Sequence, residues 1–228
     1  MTSPFQRARS DEQRAERRRA ILDTAAAMLA EMPVAQVSLN ELSRRVGLAK
    51  SNVLRYFESR EAVLLELLDV AWREWLEQLG EELAAAPGGA GAGGGAGDRL
   101  AAVLTASLAD RPVLCDLISA QAAVLERNVS PQVATDFKRG AISNVGALAG
   151  LVRGQVPELG ERDAGRFAAA AVMTAGAVWT HAQPTAAMLA AYEADPSLAA
   201  LRIDFADALR QLLEVLLSGL LARQNGPR

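Results

Sequence analysis

The chain has one cysteine, Cys115, and one histidine, His181, in 228 residues. A lone cysteine closes no internal disulfide, so the fold must hold by packing, and the usage fits a reducing cytoplasm. Hydrolytic and metal chemistry have little to work with. There is no G-x-S-x-G, no H-E-x-x-H and no P-loop. Acid pairs such as Glu81-Glu82 fall on solvated helix faces. No enzyme, cofactor or metal site is expected. Aromatic residues make up only 4%, and much of the apolar content is alanine, the best helix former. The polar, Arg-rich N-terminus carries no apolar signal-peptide core, so a cytoplasmic protein is expected.

Net charge is -3, which by itself argues against a polyanionic partner. The distribution along the chain reverses that argument. Residues 1–60 hold 11 Lys/Arg against 7 Asp/Glu, and the remaining chain holds 13 against 20. A basic end can meet phosphates while an acidic remainder stays soluble. Arg14, Arg17, Arg18 and Arg19 cluster in that basic end.

Two stretches look functional and are read otherwise. Gly89, Gly91 and Gly94 match G-x-G-x-x-G literally, but no strand precedes them and the tract 87–97 is low complexity. A flexible connection is expected there. Phe167 to Tyr192 runs without a formal charge for 26 residues. Its alanines, threonines, Gln183 and Pro184 fit a helix buried among helices better than a lipid-facing span, so no membrane partner is expected.

The sharpest pattern is Ser38 to Tyr56, SLNELSRRVGLAKSNVLRY. Ser38 and Glu41 have the spacing of a capping box. Leu39, Leu42 and Val46 share one helix face. Ser43 is small where two helices would cross, and Gly47 suits a turn with positive φ. A second short helix, about Lys50 to Tyr56, buries Val53. It presents Lys50, Ser51, Asn52, Arg55 and Tyr56, side chains suited to base edges and phosphates. Further helices are expected from Ser10 to before Pro33, from Ser59 to about Ala85, and at about 98–109, 112–127, 131–155, 161–182, 185–193 and 199–223.

The segment GLAKSNVLRYFESREAVLLELL, from Gly47 to Leu68, resembles the DNA-binding domain of the TetR family of bacterial transcriptional regulators. The preceding helix RRRAILDTAAAMLAE and its spacing resemble it too, so the likeness covers roughly the first 70 residues. Family members often carry Tyr where this chain has Leu54, His at Tyr56, and Lys at Arg60. The resemblance implies an all-α fold. A three-helix DNA-binding domain with its helix-turn-helix would occupy residues 1–62. A long fourth helix would link it to a helical ligand-binding and dimerisation domain over residues 63–228. Lys50, Ser51, Asn52 and Arg55 would face the groove of double-stranded operator DNA, with Ser38, Tyr56 and Arg60 on phosphates.

A short recognition helix reads few base pairs, and a two-fold pair reads a palindrome. The small-residue helix at 161–182 and the final helix with its wide apolar sector look like the counterparts of the family's dimer-forming helices. The resemblance also implies a small-molecule effector. Its pocket candidates are Trp72, Trp75, Cys115, Ser119, Gln121, Asn144, Met173, Trp179 and His181, a mostly apolar set that favours an apolar or aromatic ligand. The expected function is a ligand-responsive repressor that binds a palindromic operator as a homodimer. The alternative is a helical protein-interaction module without specific DNA binding.

Overall fold

A computed structural model describes residues 4–85 and 95–224, with side chains from residue 12 onward. The expected flexible tract therefore lies largely outside the described residues. Its last three positions, Gly95 to Gly97, cap and open a helix. The fold is all-α, with no strand among the described residues. The helices are α1 Pro4–Glu31, α2 Leu39–Val46, α3 Lys50–Val53, α4 Arg60–Ala85, α5 Ala96–Ala109, α6 Pro112–Ala120, α7 Pro131–Gln155, α8 Gly160–Ala182, α9 Ala186–Ala194, α10 Pro196–Ala199 and α11 Phe205–Gln224.

Local chemistry accounts for most of these boundaries and for the departures from expectation. α1 begins at Pro4 rather than near Ser10, and proline suits a first helical position because its missing N–H has no intrahelical use there. α3 is α-helical for only one turn. Beyond Val53 the chain tightens, with Arg55 N–H donating to Asn52 O and Tyr56 N–H to Val53 O. α6 stops at Ala120 and passes into a π-helical turn, Gln121–Leu125. The last long helix starts at Phe205 instead of 199. Asp195 caps the separate short α10 through Ser197 N–H, and Asp204 caps α11 through Asp207 N–H.

The chain divides into two compact units. The first is Met1–Val70 with Ala120–Phe137, and α4 is continuous across its end. Ile21, Ala25, Met28, Leu42, Val53, Val63 and Leu64 are fully buried in it. The segment after α6 is tied in by Ser130 N–H, which donates to Glu58 at 2.6 Å. The second unit is Ala71–Ser119 with Lys138–Arg228. There α11 packs along α5 and α8. Trp75, Leu79, Leu104, Leu117, Phe167, Leu209 and Leu213 are among its deepest side chains.

α8 carries Glu161, Arg162, Asp163 and Arg166 in its first turns and packs against α11, as a core helix does. No helix of the described residues is long and apolar enough to cross a membrane. The chain between α8 and α11 forms an excursion whose helices α9 and α10 bury no residue. Its two ends are pinned by Trp179 and Phe205, whose rings meet edge to face at 5.1 Å.

Candidate nucleic-acid interface

The first unit builds its reading head from short-range rules. Ser38 adopts extended backbone, and its Oγ accepts from Glu41 N–H at 3.2 Å. Only this half of the expected capping box forms. The Glu41 carboxylate turns instead to the guanidinium groups of Arg44 and Arg45, at 2.6 and 2.8 Å. Those two arginines hold the Glu41 carboxyl down to about 2. Arg45 also pairs with Glu31 at 2.7 Å, which fastens α2 to the end of α1.

Ser43 is buried and donates to Leu39 O at 2.6 Å, so its hydroxyl is satisfied inside its own helix. Gly47 sits at φ 72°, ψ 28°. That left-handed residue ends α2, and Leu48 N–H returns to Ser43 O at 3.0 Å. Ala49 is extended and starts α3. Val53 is fully buried beneath α3, while Lys50, Ser51, Asn52, Leu54 and Arg55 are exposed and Tyr56 is half-buried. The expected groove-facing set is thus brought together on one solvent-facing turn.

The arginines of this unit fall into two groups that their sequence positions do not distinguish. Arg18 donates from Nε to Glu66 at 2.7 Å and from Nη1 to Tyr56 O at 2.6 Å. Its guanidinium also lies 4.1 Å from the centroid of the Phe57 ring. Arg60 donates to Val37 O at 2.9 Å and pairs with Glu61 at 3.0 Å. Arg18, Arg45 and Arg60 therefore hold helices and turns in register, while Arg44 pairs only within α2. The side chains of Arg14, Arg17, Lys50 and Arg55 make no hydrogen bond or ion pair among the described residues.

Eight of the nine ligand candidates lie in the second unit, and they do not line one cavity. One small apolar cavity, about 10 Å³, lies among Trp75, Leu104, Ile118, Val172 and Leu213. That is about the room one water needs. Only Trp75 of the nine lines it. Trp72 is buried, and its Nε1 finds no partner; the same holds for Oγ1 of buried Thr105. Cys115 is fully buried, with Sγ 3.3 Å from Leu108 O, and burial pushes its thiol up to about 12. Ser119 Oγ donates to Asp116 O. Asn144 is buried on α7. Met173 is 69% exposed, His181 is exposed, and Trp179 meets Phe205. Gln121 belongs to the other unit, where its side chain donates to Glu126 at 2.8 Å.

Comparison with known proteins agrees with this geometry. The family described as "Bacterial regulatory proteins, tetR family" matches residues 21–67, and "Tetracyclin repressor-like, C-terminal domain" matches residues 69–224. The HTH-type transcriptional regulator EthR of Mycobacterium tuberculosis is 43% identical over 54 residues. That match covers 24% of this chain and 25% of EthR. A TetR transcriptional regulator from Rhodococcus sp. RHA1 superimposes with a TM-score of 0.54 at 16% identity, covering 90% of this chain and 97% of that one. A TetR/AcrR-family regulator from Thermobifida fusca YX-ER1 gives 0.51 at 20% identity, covering 90% and 98%. Both likenesses concern the fold. The interaction module without DNA binding is not what the matched N-terminal family supports. With its helix-turn-helix in the first unit and a family match that runs through the second, the chain belongs to the TetR family and is a DNA-binding transcriptional regulator.

Proposed function

We propose that the protein is a ligand-responsive repressor that binds a palindromic operator as a homodimer. Residues 1–62 would carry DNA binding, and residues 63–228 would carry regulation and dimerisation. The observation that carries the reading is the α3 turn. It sets exposed Lys50, Ser51, Asn52 and Arg55 over buried Val53, with both cations unpaired among the described residues. Arg55 and Asn52 have the donor geometry for guanine and adenine edges. Tyr56, Ser38 and Arg60 are assigned to phosphates. Ser38 Oγ accepts at the helix cap and so keeps its O–H free to donate, and Arg60 keeps the N–H groups not directed to Val37 and Glu61.

The dimer reading is supported by apolar side chains left in water on the late helices. Met173 on α8 and Leu212 and Val215 on α11 are 69%, 45% and 69% exposed. A second copy covering them would remove that surface from water. Two heads would then read sites roughly 34–36 Å apart, one turn of DNA.

The effector reading rests on the second unit. The apolar lining beside Trp75 suits an apolar or aromatic molecule, which a space with room for about one water would admit only after the surrounding helices part. Such a ligand would select a form in which α4 holds the heads at another separation, and DNA and ligand would oppose each other reciprocally.

The test is selection of bound duplexes from a random pool at about 150 mM salt, where nonspecific phosphate binding is weakened. A palindrome is expected. Arg55→Ala should relax preference at one position, at about 1–3 kcal/mol. Unchanged affinity and preference in Arg55→Ala would remove the assignment of α3.

A further inference from the structure

We propose that Arg14 and Arg17 of α1, together with Tyr56 and with the base-reading Arg55 at the edge, form a second phosphate-binding site that takes the sugar-phosphate backbone of DNA beside the reading turn. The inference rests on the DNA-binding reading above and extends it to residues that the helix-turn-helix pattern does not include. These four side chains line one open trough of about 680 Å³ in the first unit, with Gln13 and Glu16.

Three guanidinium groups share that lining with a single carboxylate, Glu16. None of the three is paired among the described residues. Arg14 and Arg17 stand three positions apart on one helix, where like charges repel. No acidic partner among the described residues relieves this, whereas Arg18, Arg44, Arg45 and Arg60 each have one. Forked N–H donors converging on one concavity match the oxygens of a phosphodiester. The trough is far larger than one inorganic phosphate needs, and Arg55 belongs to both the trough and the groove-facing turn. A chain of phosphates running on from the read bases therefore fits better than an isolated anion.

Arg18 shapes this trough and does not line it. Its guanidinium is held by Glu66, the Tyr56 carbonyl and the Phe57 ring, with the side chain part-buried. It joins α1 to the chain just beyond α3 and so holds Tyr56 against the helix that carries Arg14 and Arg17. Arg18 is a positioning residue.

The experiment measures duplex affinity of the full chain against salt concentration. The proteins are wild type, Arg14→Gln/Arg17→Gln and Glu66→Gln, each checked for an unchanged melting transition. A 30-base-pair duplex serves as probe, with inorganic phosphate in a parallel thermal-shift arm. Losing two phosphate contacts should lower the slope of log K against log salt by about 2. Affinity should fall alike for all sequences, with base preference retained. Glu66→Gln removes a negative charge, yet should weaken binding with the slope unchanged, because Tyr56 is no longer held.

An unchanged slope in the double variant overturns the trough while leaving α3 as the reader. Tighter binding by Glu66→Gln would make Arg18 itself a phosphate ligand and overturn its positioning role. Stabilisation by inorganic phosphate that depends on Arg14 and Arg17, with no change in the DNA slope, would make the site one for a free anion. A wild type that binds no duplex would overturn the DNA-binding reading and the trough with it.

Discussion

Trp75 Nε1 donates to Ser107 Oγ at 2.9 Å, a buried bond that ties α4 to α5 within the second unit. One helical turn earlier, Trp72 is equally buried, yet its Nε1 has no partner. Ser107→Ala would leave a second indole N–H unsatisfied. A loss of about 1–3 kcal/mol is expected, seen as a lower urea midpoint at an unchanged slope. Trp72→Phe has no bond to break and should cost less than Trp75→Phe. Equal costs for the two tryptophans would show that the Ser107 bond contributes nothing net.

Gly47 is the turn of the helix-turn-helix. At φ 72° a side chain is strained by the backbone alone, since a Cβ there would meet nothing within 4 Å. Gly47→Ala should destabilise by about 1–2 kcal/mol, and Gly47→Asn by less because asparagine tolerates this region. Thermal melts of the three proteins order them. Alanine melting with the wild type would mean that the turn is not left-handed.

Two helix-interior glycines of α8 should respond in opposite directions. A Cβ on Gly176 would lie 3.0 Å from Ile118 Cγ2 and 3.4 Å from Ser119 Cα, so α6 and α8 touch there. Gly176→Val should overpack that contact and cost about 1–3 kcal/mol. Gly165 has nothing within 4 Å of its Cβ position. Gly165→Ala should add about 0.5–1 kcal/mol through helix entropy alone. Denaturation midpoints moving apart in this order would support the packing, and matching shifts would contradict it.

Cys115 is raised from its ordinary 9.0 to about 12, chiefly because burial disfavours the thiolate. Below pH 9 the thiol is protonated in both folded and unfolded chains, so nothing changes there. Between 9 and about 12 only the unfolded chain ionises, so its contribution to stability is lost as pH rises. A thiol reagent at pH 8 should label the native protein slowly and the urea-unfolded protein fast. Rapid native labelling would mean that Cys115 is accessible.

Much of the first unit was legible in the chain because its signals are local. Ser38 caps, Gly47 turns, Val53 buries and the residues around it face outward, each by rules that reach only a few positions. The all-α class followed from alanine content, helical spacing and caps for the same reason. The Glu41 carboxylate leaves the capping box because two neighbouring guanidiniums compete with a backbone N–H and win on charge.

What the sequence determined by itself was therefore the helices, their caps and the short reading turn, where the deciding forces act within one or two turns of chain. The tertiary structure decided what distant residues do. Arg14, Arg17, Arg18 and Arg19 are alike in sequence, but only packing brings Glu66, Tyr56 and Phe57 to Arg18 and opens a trough in front of Arg14 and Arg17. Packing likewise draws Ala120–Phe137 into the first unit and closes the apolar space beside Trp75 to about 10 Å³. Those outcomes depend on side chains meeting across tens of residues, and no periodicity or cap encodes them.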